Sequence, residues 1–558
     1  MPGPALDLSL ALDVRSVAPG APQRAHLVVE VSAALPEDER HERPPLALVF
    51  AIDVSASMWG QPMEQVVRSI ERMVELLEPT DRVGIVSFSE GAEVVAELER
   101  LDAAARRRLA GSLRRIDPEG GTDMESGLRV SKSALGPRAA DERRGILLLS
   151  DGDPTLGDRR PEALAEIAAS FRGDAAVSTL GYGEEHNEDI LRRIAVAGGG
   201  QYYYVRDPSL CATELALAVG ATGDAVAEGV SVDLSPERGV DIIRIAGDVR
   251  VRKTMGAARV EMPDLQPGER ASLVIELVLE PGASVSGAFD VVRARLAHRR
   301  PGASEVHTTE RTIGVDVAPG APQRDPVARA RVLVALAEEA RTAARVLADQ
   351  GSFEQAASLL RRAVDGMRAE ADLMGFGAQD AQGAPEALAS IEAEDGTPLG
   401  ETIAQLAEEA DVLAKKPNPA AYRLFRKAQA GRAAAASRRA GASQAGPLSR
   451  RAMATIAGNL PRARLLVVQG KGPKDGYRLE GTTITVGQTN HAQIRLEGKD
   501  VSREHCSIVG QDGRFYLTDL GGGSGTYVNG KRLTAPKALA PGDVIGVGDC
   551  ELRYEEER

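Results

Sequence analysis

The apolar run Leu46-Ala47-Leu48-Val49-Phe50-Ala51-Ile52 ends abruptly in Asp53-Val54-Ser55-Ala56-Ser57. One carboxylate and two hydroxyls on so short a loop suit a hard divalent cation, which takes oxygen ligands in near-octahedral geometry. Three oxygens leave half of such a shell unfilled, so more are expected from other loops. Two stretches offer them. Gly120-Gly121-Thr122-Asp123 opens a helical segment, and Gly145-Ile146-Leu147-Leu148-Leu149-Ser150-Asp151 is a second apolar run that ends in a carboxylate. Alone, Asp-x-Ser-x-Ser also reads as a capped helix start, because such side chains accept hydrogen bonds from the free N–H groups of a first turn. Three separated segments agreeing in order favour the metal.

These residues need a scaffold. Continuous apolar strands belong in sheets covered on both faces, and in open α/β sheets ligands collect at the carboxyl ends of the strands. The segment Pro62–Glu78 carries Met63, Val66, Val67, Ile70, Met73, Val74 and Leu77 at the helical period. Strands follow at 82–88, 94–98, 176–180 and 201–205, alternating with helices near 109–116, 188–197 and 210–218, which argues for a doubly wound α/β fold. The set Asp53, Ser55, Ser57, Thr122 and Asp151 resembles, residue for residue, the metal-ion-dependent adhesion site of von Willebrand factor type A domains, over roughly Pro45 to Leu215. The resemblance implies a mainly parallel six-stranded Rossmann-like sheet with one antiparallel edge. It also implies Mg2+ or Mn2+ as the ion, with one metal position open for an acidic group of a protein partner. Trp59, the only tryptophan, reads either as a rim contact for that partner or as packing. The acidic cluster Glu184-Glu185-His186-Asn187-Glu188-Asp189 reads as a solvated loop and helix start.

On either side of this domain (45–220) the pattern changes. Two strands near 6–15 and 24–33 are too few to fold alone, and 221–324 breaks into short alternating segments between turns, as in a β-sandwich. The N-terminal strands (1–44) are therefore expected to complete that sandwich, with the metal domain inserted into it. The region resembles the β-domains that accompany bacterial type A proteins. The octapeptide Val17–Arg24 recurs identically at Val317–Arg324; turn-forming low complexity explains it, with a short duplication as the alternative. Residues 325–440 read as a helical region with a loop at 376–398. Gly351–Ala356 resembles one tetratricopeptide hairpin, although a plain helical spacer is the simpler reading. Between Lys415 and Arg464 there is no acidic residue. Its later part, 441–463, is expected as a basic, flexible linker, or else the acid-free stretch is a docking strip for an acidic partner or for nucleic acid, with few aromatics for the latter; Ser449 and Thr455 lie there as candidate kinase targets.

Residues 464–558 read as short strands with Gly-rich turns. Ile484-Thr485-Val486-Gly487, Val501-Ser502-Arg503-Glu504-His505, Leu517-Thr518-Asp519-Leu520 and Gly525-Thr526-Tyr527-Val528-Asn529-Gly530 resemble the motifs of forkhead-associated (FHA) β-sandwiches, which bind phosphothreonine peptides. The resemblance implies phosphate contacts from Ser502 and Arg503, with His505 as a brace and Lys499 as a further donor. Two positions depart from the family. Gln488 stands where it has Arg, and Ser524 where it has Asn before Gly-Thr. Losing a charge-assisted phosphate contact weakens binding by about 1.5–3 kcal/mol, so phosphate-independent protein binding stands beside phosphothreonine recognition.

Three cysteines in 558 residues, a net charge of −13, and no apolar run long enough to span a membrane lead to the expectation of a cytoplasmic protein. The N-terminus shows no basic region or apolar core of a signal peptide. The acidic balance disfavours nucleic acid as a partner. The function expected is a non-enzymatic adaptor with a Mg2+- or Mn2+-bridged partner at one site and an FHA partner at the other. The alternative is an accessory subunit of an ATP-driven machine; the chain has no GxxxxGK[ST] loop of its own.

Overall fold

The computed structural model describes residues 6–34, 43–139, 141–183, 186–205, 211–247, 249–254, 256–374, 399–418, 422, 425–426, 447–488, 492–498, 500–502, 504–520 and 524–557. Glu184, Glu185, the loop 376–398, the stretch 427–446, Lys499 and Arg503 lie outside them. The chain forms two compact units, one mainly of residues 1–38 and 225–420, the other mainly of 39–224 and 445–558.

In the first unit, β1 (Leu6–Leu12) and β3 (Gln23–Ala33) share a four-stranded sheet with Arg270–Leu279 and Val240–Ala246, while β2 (Val14–Val17) joins a seven-stranded sheet built around Glu228–Pro236 and Gly287–Arg299. Leu6 and Leu8 are buried while Asp7 and Ser9 are exposed, the two-residue period of a strand with one face on a core. The two copies of the octapeptide lie side by side: Val17 pairs with Val317 in parallel, and Gln323–Arg324 returns against β2. Helices α7 (Pro326–Asp349) and α8 (Phe353–Leu373) pack on each other and with Leu399–Ala414, and Val332 of α7 meets Val28 and Val274 on the outer face of the smaller sheet.

The second unit contains a six-stranded sheet ordered β6-β5-β4-β7-β8-β9, with β4 Leu46–Asp53, β5 Arg82–Phe88, β6 Ala92–Arg100, β7 Arg143–Ser150, β8 Ala176–Tyr182 and β9 Gly199–Val205. All pairs are parallel except β5 with β6. Every residue of β4 and β7 is buried. Leu48, Phe50 and Ile52 face α1 (Gln61–Leu76), α2 (Ala103–Leu113) and α6 (Cys211–Asp224). Ala47, Val49 and Ala51 face α3 (Met124–Ala134), α4 (Pro161–Ser170) and α5 (Glu188–Gly198). This double cover is why the two strands read as unbroken apolar runs.

One sequence expectation fails here. Within 441–463, where a flexible linker is expected, Pro447–Ala457 forms a helix, called the clamp helix below. Leu448, Ala452, Met453 and Ile456 fall on one stripe and join the core under α1 and α6. The small-residue composition hides this stripe, and only the partner surface reveals it. Asp224, at the end of α6, caps the clamp helix by accepting from Leu448 N at 2.9 Å, Ser449 N at 2.7 Å and Ser449 Oγ at 2.6 Å. A carboxylate at a helix N-terminus contributes about 0.3–1 kcal/mol or more, and full burial of Leu448 or Ile456 about 1.5–3 kcal/mol each. Beyond it, residues 463–556 form a sandwich of a six-stranded and a five-stranded sheet around Leu465, Ile484, Ile508, Phe515, Leu517 and Tyr554.

Two buried titratable groups in the first unit set its pH response. Neither ring nitrogen of His298 has a hydrogen-bond partner among the described residues, and burial pulls its pKa down to about 4. Burial pushes Glu269 up to about 7, although Gln266 N donates to its carboxylate at 2.9 Å. The native state therefore binds fewer protons than the unfolded chain at His298 between about pH 4 and 6.5, and more at Glu269 between about pH 4.5 and 7. His298 makes stability rise with pH through its window, and Glu269 makes it fall through its own. Glu269→Gln should gain stability relative to the parent as pH rises from 4.5 to 7, reaching up to about 3 kcal/mol, measured by denaturant melts at both ends; an unchanged difference would remove Glu269 from this account.

Candidate functional site

The two apolar strands β4 and β7 are adjacent, so their last residues reach the same sheet edge. Asp53 ends β4 and is fully buried. Its Oδ1 accepts from Ser55 N at 2.9 Å, and its Oδ2 accepts from Ser150 Oγ at 2.5 Å. Within a 3-10 turn at Ala56–Met58, Ser57 stands 3.1 Å from Ser55, Oγ to Oγ, and donates to Asp151 Oδ1 at 2.8 Å. Asp53, Ser55, Ser57 and Asp151 thus meet in one cluster of oxygens.

Thr122 arrives on a separate loop that the backbone stitches into place. Ala56 N donates to Gly120 O, Glu119 N to Val54 O, and Asp123 N to Ser89 O. Thr122 N donates to Thr155 Oγ1 at 2.8 Å, and Thr155 N returns to Thr122 O at 2.9 Å. Asp123 caps α3 through Ser126. A Cβ built on Gly152 would lie 3.8 Å from Thr122 Oγ1 and 4.0 Å from Ser57 Oγ, so glycine there keeps open a cradle facing these hydroxyls. Three residues therefore escaped the sequence reading: Ser150, which orients Asp53; Thr155, which holds the Thr122 loop; and Gly152. Their signal was adjacency to Asp151, but small polar residues beside a motif are common and only the contacts distinguish them.

Burial pushes the carboxyl of Asp53 up to about 6, with the charge of Asp151 adding to it and hydrogen bonds from Ser150 and Ser55 opposing it. Burial also raises Asp151, against the hydrogen bond from Ser57. Among the described residues no three His, Cys, Asp or Glu side chains form a metal-binding group, so this set rests on two carboxylates and three hydroxyls. All five donors are hard oxygens, and the crowded carboxylates are the groups a divalent cation would relieve. The donor set fits Mg2+ or Mn2+. Trp59 is 67% exposed and Leu156, after Thr155, is 40% exposed, which puts apolar surface on the same loops. His186 is held by Tyr202 Oη at 2.7 Å and by the carbonyls of Tyr182 and Gly183, and Glu188 pairs with Arg426.

At the C-terminal sandwich, Ser502 N donates to His505 Nδ1 and His505 Nε2 meets Gly525 O, both at 3.0 Å. His505 is the neutral Nε2–H tautomer in this setting, and burial lowers its pKa; it ties two loops together. Gln488 Nε2 donates to Gly498 O at 2.6 Å, and Ser524 Oγ donates to Asp500 O at 2.5 Å. Both departures from the FHA pattern are thus engaged in tying their loops to the neighbouring loop at Gly498 and Asp500.

A family model of the von Willebrand factor type A domain matches residues 47–215, and one of the FHA domain matches residues 484–548. An uncharacterized protein of Synechocystis sp. is 28% identical over 300 residues, which is 51% of this chain and 70% of that protein. Inter-alpha-trypsin inhibitor heavy chain H2 of Mus musculus is 29% identical over 161 residues, 27% of this chain and 17% of that protein, so this chain spans under a fifth of that relative. A solved type A structure from Catenulispora acidiphila aligns over 64% of this chain and 87% of that chain, with a TM-score of 0.51 at 20% identity. The likeness is one of fold.

A buried, cation-free Asp53 costs stability. Asp53→Asn should raise metal-free stability by about 1–3 kcal/mol at pH 8, read as a higher melting temperature in EDTA, while removing any stabilisation by added Mn2+. A lower melting temperature in EDTA would show that the charge is already compensated.

Proposed function

We propose that this chain, which carries a type A domain and an FHA domain, is a non-enzymatic adaptor that holds one protein partner at each. At the first site Asp53, Ser55, Ser57, Thr122 and Asp151 would hold Mg2+ or Mn2+. The observation that carries this reading is the convergence of the oxygens: Asp53, Ser55, Ser57 and Asp151 are linked by hydrogen bonds, and Thr122 Oγ1 and Ser57 Oγ lie 3.8 Å and 4.0 Å from the Gly152 Cβ position. A divalent ion held by two carboxylates and neutral hydroxyls supplies a Lewis-acidic centre for an acidic side chain of the partner. Asp53 and Asp151 bring the charge, Ser55, Ser57 and Thr122 complete the oxygen set, and Ser150 aims Asp53. Exposed Trp59 suits the rim of such a contact. The non-catalytic reading is supported by the sequence of the three motifs, none of which carries a histidine to act as a general base.

At the second site the loop end carrying Ser502, Arg503, Gln488 and Ser524 would dock a protein. Ser502 would contribute a hydrogen bond where the partner carries phosphothreonine. The side chains of Gln488 and Ser524 are engaged with the backbone of the neighbouring loop, which favours a phosphate contribution smaller than an Arg at position 488 would provide. Among the described residues no helix is long and apolar enough to cross a membrane. The three free, buried cysteines suit a reducing compartment such as the cytoplasm.

Affinity capture with the full chain, in Mg2+ and then in EDTA, tests both arms. Asp53→Ala and EDTA should each remove the same partner, and Ser502→Ala should remove a different one. Synthetic phosphothreonine and unphosphorylated peptides from that second partner then report the phosphate contribution. Partners that survive EDTA and both substitutions would overturn the adaptor reading.

A further inference from the structure

We infer that the FHA domain is a fixed head on the metal domain, locked there by the acid-free segment, so that the two recognition sites belong to one rigid reader. The lock has three parts. The clamp helix lies in the core beneath α1 and α6, with Ile456 and Leu448 buried. Asp224 caps its N-terminus, and at its other end Ile456 O and Ala457 O accept from Asp512 N at 2.9 Å and Gly513 N at 2.8 Å, in the turn between strands Cys506–Gln511 and Arg514–Asp519. The same turn reaches the metal domain directly, through Gln511 with Thr213 of α6 and Asp512 with Arg72 of α1.

Charge complementarity explains why this segment carries no acid. Arg451 pairs with Glu78 at the end of α1, and Arg426 with Glu188 and Asp189 of α5. The acidic partner of the strip is the metal domain itself. Close approach is built in as well. A Cβ on Gly220 of α6 would stand 2.7 Å from the backbone Cα of Ser449.

The docking leaves recognition free. Cys506 pairs with Val486 and with Asp519, so the loops carrying Gln488, Ser502 and Ser524 leave the sandwich at the Cys506 end. The docking turn leaves at the Gln511 end, about 17 Å along the strand. Both sites therefore act at one set spacing, and the two partners of the adaptor are held at that spacing when both are bound. That last consequence rests on the two-site function above; the docking itself does not.

A glycine-to-alanine exchange separates the alternatives by sign. Alanine is the better helix former, so Gly220→Ala stabilises α6 if the clamp helix is a free tether and expels the clamp helix if it is docked. Gly111→Ala in α2, where an added Cβ meets nothing within 4 Å, is the control. Spin labels at Glu97→Cys and Lys531→Cys in the full chain, read by double electron–electron resonance, should give one narrow distance distribution that Gly220→Ala broadens while lowering the melting temperature. Gly111→Ala should do neither. A broad distribution in the parent, or a Gly220→Ala variant with a higher melting temperature and an unchanged distribution, would overturn the inference. The measurement is repeated in EDTA, and Mn2+ binding to the chelator-free full chain is titrated separately: a narrow distribution in EDTA together with no Mn2+ bound in the titration would sink the metal reading and leave the docking intact.

Discussion

The second unit is organised by a carboxylate where a protein interior tolerates one poorly. Asp53 ends a strand that is buried along its whole length, and its own exposure is zero. Removing a charge from water is expensive unless hydrogen bonds or an opposite charge replace the lost solvation. Here Ser55 N and Ser150 Oγ replace part of it, and the remaining cost shows in a pKa pushed up to about 6. On the proposed reading, a cation would complete the replacement. Such a site is a store of unfavourable energy that binding can release, which is how function and stability come to oppose each other at one residue.

The surrounding loops are held together by the backbone itself. Backbone hydrogen bonds join the Asp53, Thr122 and Asp151 loops, so the oxygens meet without having to be gathered by a ligand. Preorganisation of this kind lowers the ordering cost of binding. The FHA loops follow the same logic with different parts, since a buried neutral His505 spans two loops. In both places a buried polar side chain is satisfied by backbone groups and thereby fixes loop geometry.

The chain solves a connection problem with equal economy. An inserted domain needs its two ends close together, and the strands before and after it belong to one sandwich. The repeated octapeptide lies in that sandwich, where Val17 of the first copy pairs with Val317 of the second. Farther on, the acid-free segment lays its apolar stripe and its arginines against the metal domain.

The sequence by itself determined the elements that obey local rules. Unbroken apolar runs ending in Asp53 and Asp151 announced doubly covered strands and what stands at their ends, and Gly-rich turns with spaced motifs announced the C-terminal sandwich. These signals are local because strand burial and turn chemistry are written in neighbouring residues. Tertiary structure alone decided the rest. Ser150, Thr155 and Gly152 matter through contacts with residues 30 or more positions away. The clamp helix reads as a linker because the segment 441–463 that contains it is rich in Ala, Ser and Gly, and its stripe of Leu448, Ala452, Met453 and Ile456 acquires meaning only against α6. Composition reports how soluble a segment is. What it packs against depends on a surface formed elsewhere in the chain.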